Sequence, residues 1–273
     1  MKQVNSVISL DQNTYISALS PIEHNISNHC DDFDSPLSEE LKKTLQCKIG
    51  QLLWLSSQTR PDVCYDVSHL AANLTKATSR DVLMINRTIR KLKRQQLSLT
   101  FKPLTGTTHL VAYTDASLGG LPNGGSQCGC LVFLADNAGN CNLLSWNSKQ
   151  IRRIVRSSLS AETLGMSECL DSVIFISMLY KELTFGHAKK GEIGITLITD
   201  SKSVIDGLKS SKPVSEKRLR FDINSVKEAL QENQLQCVKW VDTKKQLADS
   251  LTKQGASPQN LYETIVKGKL NLN

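Results

Sequence analysis

Four acidic residues of this 273-residue chain stand at positions where a fold can bring carboxylates together. Asp115 ends a short apolar run that is typical of a buried strand, and Asp200 ends a second one. Glu162 stands near the start of a long apolar helical pattern, and Asp249 stands inside the last helical pattern. A single acid after a strand is usually a turn residue. Four such acids indicate a candidate site instead, since carboxylates serve as proton carriers or as oxygen ligands for hard cations.

The first region of the chain, residues 1–100, is predicted to be mainly helical. Residues 7–22 are expected to form a helix or a helix-like packing segment. From Ser38, a suitable N-cap, apolar residues at helical spacing predict a helix that stops before Arg60, because Pro61 disfavours the helical conformation at the preceding residue. Apolar spacing predicts two further helices, at residues 67–74 and 82–92.

The second region, residues 107–256, alternates strand and helix signals. Apolar runs separated by Gly, Pro and Asn predict three antiparallel strands. A long helix is expected over about 160–183, with Ser158 or Ser160 as its N-cap and Glu162 in its first turn, where the helix dipole favours a carboxylate. Later patterns predict strands at 194–199 and 238–241 and helices at 201–208, 215–232 and 244–251. The expected fold class is α/β, with a five-stranded mixed sheet and flanking helices.

The composition is that of a folded globular protein with a moderate excess of positive charge. Hydrophobic residues make up 40% of the chain, and 33 Lys and Arg against 26 Asp and Glu give a net charge of +7, which suits a polyanionic partner. The eight cysteines form no Cys-x-x-Cys pair, so we expect reduced thiols in an intracellular protein. Since no apolar run approaches the length of about eighteen residues that a membrane span needs, neither secretion nor membrane crossing is expected.

Five short motifs occur in an order that is similar to one group of proteins. They are Gln51–Leu55, Thr59–Val63, Ser145–Gln150, Ser157–Glu162 and Gln246–Lys253. The ordered set resembles the carboxyl-terminal part of copia-type LTR retrotransposon Pol polyproteins. The resemblance implies that residues 1–100 are the end of a reverse transcriptase with thumb- or connection-like helices, that 107–256 form a ribonuclease H-like domain, and that 257–273 are a tail. The polymerase's Tyr-x-Asp-Asp hairpin is missing, so no DNA synthesis is expected from this chain.

The same resemblance implies a role for the four acids. Asp115, Glu162, Asp200 and Asp249 would be the catalytic, metal-binding carboxylates of a ribonuclease H, which hydrolyses the RNA strand of RNA/DNA hybrids. The implied cofactor is Mg²⁺, as two ions roughly 3.5 to 4 Å apart, with Mn²⁺ as a substitute. Asp115 is expected to contact both ions. Glu162 and Asp200 are expected on the leaving-group side and Asp249 on the side of the attacking water.

Two groups of cationic residues are candidate contacts for the phosphates of a hybrid. They are Arg152, Arg153 and Arg156, before the long helix, and a second patch of Lys217, Arg218 and Arg220, near the start of the helix expected at 215–232. The alternative interpretation is a solvated loop for the first group and a solvated surface without phosphate contacts for the second. The helix at 82–92 carries a cationic stripe that is open to the same two interpretations. Because hybrids are read through backbone and 2′-hydroxyl groups, no sequence specificity is expected.

The chain departs from many ribonucleases H in its histidines. Those enzymes place a mobile histidine near the last acid to assist product release, whereas all the histidines here precede that region: His24, His29, His69, His109 and His187. Either the role is absent or Lys244 or Lys245 takes it. Turnover is therefore expected to be slow.

Two other classes of function stay open at this stage. One is a catalytically dead or host-adopted remnant that binds nucleic acid without cleaving it. The other, ranked third, is a transposon integrase, which needs a different arrangement of three acids. The expected partners are an RNA/DNA hybrid and the rest of a reverse transcriptase, with no membrane. The sequence leaves open the oligomeric state and the choice between cytoplasmic particles and the nucleus.

Overall fold

The computed structural model describes residues 1–4, 6–23, 33–187 and 193–271. Its strands are β1 (Lys2–Val4), β2 (Val7–Leu10), β3 (Leu99–Phe101), β4 (Thr108–Ser117), β5 (Ser126–Asp136), β6 (Cys141–Ile151), β7 (Gly194–Thr199) and β8 (Cys237–Trp240). Its helices are α1 (Asn13–Ala18), α2 (Glu39–Gln58), α3 (Cys64–Asn73), α4 (Ser79–Arg94), α5 (Ser158–Phe185), α6 (Lys202–Lys209), α7 (Leu219–Gln231) and α8 (Gln259–Lys267).

A five-stranded mixed sheet is the frame of the second region. Its strands lie in the order β6-β5-β4-β7-β8, with β4, β5 and β6 antiparallel and with β7 and β8 parallel to β4. The expected α/β class, with a five-stranded mixed sheet and flanking helices, is confirmed. Since β4 and β7 are parallel neighbours, their carboxyl ends meet at one edge of the sheet, where Asp115 and Asp200 lie.

Helix α5 covers one face of this sheet. Its N-cap is Ser157, whose hydroxyl accepts a hydrogen bond from the backbone N–H of Ser160 at 3.1 Å, so the expectation of a cap at Ser158 or Ser160 was wrong. Because the helix begins at Ser158, Glu162 lies beyond the first turn. The expected stabilisation of Glu162 by the helix dipole is therefore weaker than predicted, since that effect fades after the first turn.

Helix α5 is also the one helix of the described residues that is long and apolar enough to cross a membrane. Of its most apolar window, 44% is buried inside the protein. Its buried side chains pack on the inward residues of β4, β5 and β7; they include Met166, Cys169, Leu170 and Val173. This packing is that of a helix in a protein core, which passes the same test of length and composition.

The other face of the sheet is covered by the end of the chain. The helix expected at 244–251 is replaced by two 3₁₀ segments, Thr243–Lys245 and Leu247–Leu251. Gln246 between them is extended, because its side chain donates to the backbone oxygen of Thr114 at 3.0 Å and accepts from the N–H of Ala248 at 3.2 Å. Residues 257–273, expected as a tail, contain α8, which packs into the core through Leu261 and Ile265.

The first region has a hydrophobic core of its own between α2, α3 and α4. The predicted cap of α2 is confirmed, since Ser38 accepts from the N–H of Leu41 at 3.3 Å. The prediction of a helix over 7–22 was wrong in its first half. Residues Val7–Leu10 form β2, which pairs with β1 and with the distant β3, and only Asn13–Ala18 is helical. The domain boundaries proposed from the sequence stay predictions.

One pair of cysteines contradicts the expectation of free thiols throughout. Cys130 on β5 and Cys169 on α5 form a disulfide, with Cα atoms 5.6 Å apart. The two residues are 39 positions apart in sequence and meet only because α5 packs on β5. The other described cysteines are free, namely Cys47, Cys64, Cys128, Cys141 and Cys237.

Candidate active site

Three of the four candidate acids meet at the carboxyl-terminal edge of the sheet. Asp115 comes from β4, Glu162 from α5 and Asp200 from the residue after β7. One carboxylate oxygen from each lies within 4.8 Å of the others. The site is therefore assembled by tertiary structure, from elements that are far apart in the chain.

Asp115 is the buried centre of the group, with 1% of its surface exposed. The hydroxyl of Thr252 donates a short hydrogen bond to its Oδ2, and the ammonium of Lys253 lies 3.7 Å from the same oxygen. Its Oδ1 is buried and has no hydrogen-bond partner among the described residues. Burial raises the pKa of Asp115, and the nearby Asp200 and Asp249 add to that effect.

Glu162 is the most perturbed acid of the site. Burial, together with the negative charges of Asp115 and Asp200, raises its pKa to about 9. Its Oε2 is buried and without a hydrogen-bond partner among the described residues. Glu162 therefore has a buried, unpaired oxygen and lies close to two other acids, an arrangement that a bound cation would stabilise.

Asp200 is held in place by the last residue of β8 and by a residue that follows this strand. The hydroxyl of Thr243 donates to its Oδ2 at 2.7 Å, and the indole N–H of Trp240 donates to its backbone oxygen at 2.8 Å. The ammonium of Lys202 lies 4.8 Å from the centre of the Trp240 ring, a cation–π distance. These contacts hold Asp200 beside Asp115 and Glu162.

Asp249 is not one of the three acids that converge. It lies in the 3₁₀ segment Leu247–Leu251, and its carboxylate binds the ammonium of Lys253. The same ammonium approaches Asp115, so Asp249 is joined to the other acids through Lys253. The hydroxyl of Ser117 donates to the backbone oxygen of Thr252 at 2.7 Å and ties this segment to the end of β4.

The donor set fits a divalent metal ion. Oxygen atoms of carboxylates are the ligands that Mg²⁺ and Mn²⁺ prefer. Two of these oxygens are buried and unpaired among the described residues, and burial, with a smaller contribution from mutual repulsion, raises the pKa of their carboxyls. Asp115, Glu162 and Asp200 could hold one such ion, and Asp249 could contribute to a second only if Lys253 moved.

The two cationic groups lie next to each other, but not every member is free to bind a phosphate. The hydroxyl of Ser160 donates to Glu216 at 2.8 Å, which brings the loop before α5 against the loop before α7. The guanidinium of Arg153 pairs with Asp222 at 3.1 Å, and that of Arg220 donates to the backbone oxygen of Val214 at 2.9 Å. The remaining candidates are exposed; they are Arg152, Arg156, Lys217 and Arg218.

Lys244 and Lys245, the suggested substitutes for a histidine, line a groove of about 860 Å³ between the sheet and α8. His109 lines the same groove, and His69 is buried in α3, with 7% of its surface exposed. His24 and His29 lie outside the described residues. Lys253 contacts two of the candidate acids, Asp115 and Asp249.

Thr252 and Lys253 are the site residues that sequence reasoning missed, and Trp240 and Thr243 are the supports that it missed. Thr252 and Lys253 both lie inside the Gln246–Lys253 motif. An acid and a lysine four residues apart are a common pair on helical surfaces. That spacing was therefore a signal for the pair with Asp249, but it could not show that the lysine also reaches Asp115.

The sequence relatives of this chain match three quarters or more of its length. A Pol polyprotein from the retrotransposon RE1 of Arabidopsis thaliana is 28% identical over 213 residues, 75% of this chain and 13% of that protein. A Ty1-NL2 Gag-Pol polyprotein of Saccharomyces cerevisiae is 27% identical over 229 residues, 81% of this chain and 12% of that protein. The chain thus spans about one eighth of the length of these relatives. No family model matches the sequence.

Solved structures with a similar arrangement have low identity to this chain. An LC11 ribonuclease H1 in complex with an RNA/DNA hybrid is 18% identical, with a TM-score of 0.39 over 56% of this chain and 99% of its own. A foamy viral protease-reverse transcriptase in complex with dsDNA is 17% identical, with a TM-score of 0.36 over 57% of this chain and 97% of its own. The sequence relatives confirm the resemblance that the ordered motifs indicated. The homologues of this chain are Pol polyproteins of copia- and Ty1-type retrotransposons.

Proposed function

We propose that this chain is a metal-dependent ribonuclease H, which hydrolyses the RNA strand of RNA/DNA hybrids during retrotransposon reverse transcription. The observation that carries the proposal is the convergence of Asp115, Glu162 and Asp200, each from a different part of the chain, with one buried oxygen of Asp115 and one of Glu162 that lack a partner among the described residues. The homology to Pol polyproteins supports it, since these elements replicate through an RNA/DNA hybrid.

The residues of the chain have separate tasks in this proposal. Asp115, Glu162 and Asp200 would hold one divalent ion, and Asp115 and Asp249 a second. When bound, such ions lower the pKa of a water molecule and stabilise the charge on the leaving 3′ oxygen. Thr252 and Thr243 orient Asp115 and Asp200, so that the carboxylates need little rearrangement when a substrate arrives.

The test is a cleavage assay on a fluorescent RNA/DNA hybrid in Mg²⁺, with single-stranded RNA and duplex DNA as controls. We expect the wild-type chain to cut the RNA strand of the hybrid, and Asp115→Asn and Glu162→Gln to lose that activity. Asp206→Asn, which changes an exposed acid on α6, is the matched control and should cut like the wild type. Retained cutting by Asp115→Asn would refute the site assignment.

The same assay decides between this function and the alternative of a remnant that binds without cutting. Tight binding of the hybrid with no cleavage in either Mg²⁺ or Mn²⁺ would favour the remnant. The rest of a reverse transcriptase is the partner that we propose, because the relatives are much longer than this chain. An intracellular site of action, in cytoplasmic particles or in the nucleus, belongs to the same proposal.

A further inference from the structure

Lys253 stands inside the acidic site rather than on its rim. Its ammonium binds Asp249 and lies 3.7 Å from Oδ2 of Asp115. The positive charge therefore bridges two acids that come from different parts of the chain. Four carboxylates crowd this edge of the sheet, and their mutual repulsion is strong because Asp115 is buried in a medium of low dielectric.

The place that Lys253 fills is the place that a cation shared by Asp115 and Asp249 would need. A divalent ion held by both carboxylates has to sit between their oxygens, and the ammonium already bridges them. An ammonium group and a metal ion of like charge cannot share that space. The three oxygens of Asp115, Glu162 and Asp200 that converge within 4.8 Å define a different position.

We propose that Lys253 is a built-in counter-cation, which bridges Asp115 and Asp249 when no metal ion lies between them and leaves when one binds. The inference rests on the proposed metal-dependent function, and it adds that Lys253 competes with one of the metal ions. Lys253 stabilises the empty site and weakens the binding of the ion at Asp249. It returns to the two acids when that ion departs.

The side chain is suited to such an exchange. Its side chain is 43% exposed, so the ammonium can move from the buried Asp115 into water by rotation of its own bonds. Lysine carries its charge on a flexible four-carbon stem, and the ammonium is well hydrated outside the site. Asp115 keeps the hydrogen bond from Thr252 when the lysine leaves, so its carboxylate stays oriented.

The first experiment measures the release of Lys253 in the full chain. The protein is treated briefly with an amine-acylating reagent, with and without Mg²⁺, and modification at each lysine is read by mass spectrometry. We expect Mg²⁺ to raise the labelling of Lys253 several-fold. Lys267, which pairs with Glu263 at the same spacing of four residues but far from the site, should be unchanged. Equal or lower labelling of Lys253 in Mg²⁺ would overturn the proposal.

The second experiment measures metal affinity and stability in Lys253→Met, with Lys267→Met as the matched control. Calorimetry with Mn²⁺ should show several-fold tighter binding to Lys253→Met than to the wild type. In chelator, Lys253→Met should melt at a lower temperature than Lys267→Met, because the acids have lost their counter-cation. Weaker Mn²⁺ binding would show that Lys253 supports the ligands instead of competing with the metal, and the proposal would fall.

Neither experiment depends on cleavage of a hybrid. If Mg²⁺ binds and Lys253 stays protected, this inference fails while the proposed nuclease function stands. If Lys253 is released by Mg²⁺ but the wild type does not cut, the proposed function fails and the exchange stands. If the wild type binds no divalent ion, both fail.

Discussion

Among the acids of the candidate site, Glu162 is the one whose pKa is shifted most by its surroundings. Its carboxyl is buried close to Asp115 and Asp200, and its pKa rises from 4.5 to about 9. The sequence showed that an acid stood early in a long helix. It could not show that β4 and β7 would bring two more acids against it, because that proximity belongs to the packed fold.

The shift predicts how the stability of the metal-free protein depends on pH. An acid whose pKa is raised by folding favours the folded state while it is protonated. Its contribution is fully present below the ordinary pKa of 4.5 and is lost as the pH rises towards about 9. In chelator, the free energy of unfolding should therefore fall between about pH 5 and about pH 8.

Urea denaturation of the wild type and of Glu162→Gln over that range checks this prediction. The Gln side chain of this variant cannot ionise, so its free energy of unfolding should fall less steeply with pH than that of the wild type. The dependence on pH that remains should come from Asp115, whose pKa is also raised. Asp206→Asn is the control and should keep the wild-type slope. The same slope in Glu162→Gln and in the wild type would contradict the assigned environment of Glu162.

At the scale of elements, one of the motifs that carried the resemblance, Thr59–Val63, has a structural role. In the Thr59–Val63 motif, Arg60 and Asp62 form a bidentate ion pair at 2.8 Å with side-chain exposures of 0% and 1%. The pair closes the turn between α2 and α3. A buried charge that loses its partner is strongly destabilising, since it has neither water nor a counter-charge.

Asp62→Ala should therefore destabilise the protein by about 3–5 kcal/mol, because it leaves the guanidinium of Arg60 buried and unpaired. Chemical denaturation measures the loss. Asp34→Ala, which breaks the exposed bidentate pair with Arg80, is the control and should change stability far less. Equal effects of the two variants would mean that burial of the Arg60 pair does not matter.

Helix α8 offers a second test at this scale, since it lies in a segment that the sequence suggested was a tail. Leu261 is 1% exposed and packs with the inner residues of the sheet, whereas Val266 on the same helix is 50% exposed. Leu261→Ala should cost about 2–5 kcal/mol of stability. Val266→Ala should stay within about 0.5 kcal/mol in the same denaturation experiment. A small effect at Leu261 would support the interpretation as a tail.

Local patterns predicted the elements that their own residues determine. Apolar runs and turn residues were enough for the five-stranded sheet, and helical spacing was enough for α2, α4 and α5. The errors arose where distant partners decide the structure. Val7–Leu10 is a strand because β3 lies beside it, some ninety residues later, and the segment around Gln246 is not helical because its side chain binds Thr114.

For the whole molecule, a buried polar chain connects the first region to the acidic site. The amide of buried Gln127 donates to Ser68 of α3 at 3.0 Å and to Ser148 at 2.7 Å, and Ser148 donates to the backbone oxygen of Leu251 at 2.6 Å. Leu251 ends the segment that carries Asp249. A second link runs from the indole N–H of Trp146 to the backbone oxygen of Ser56 at 2.6 Å.

These links give the first region a physical role in the site. The helices α2 and α3 support the segment that bears Asp249 and Lys253, although none of the candidate acids lies in them. A sequence pattern could not reveal such a chain of hydrogen bonds, since Gln, Ser and Trp carry no signal of their partners. The site is therefore a property of both regions together.

The net charge of +7 and the exposed cations beside α5 predict how the chain binds a hybrid. Arg152 is exposed, while Arg153 next to it forms an ion pair with Asp222 at 3.1 Å. Each phosphate contact that is lost should lower the slope of log K against log salt concentration by about 1. We therefore expect Arg152→Ala to weaken binding and to reduce the slope, and Arg153→Ala to do so much less.

Fluorescence anisotropy at several salt concentrations checks this difference, with Asp115→Asn as the background so that no hybrid is cut. Two hybrids of unrelated sequence should lose the same affinity in Arg152→Ala, because phosphates are alike in every sequence. If Arg153→Ala lowers the slope as much as Arg152→Ala, its ion pair with Asp222 must open when the hybrid binds. If neither variant changes the slope, the loop before α5 lies away from the nucleic acid, and the cations before α7 become the remaining candidates.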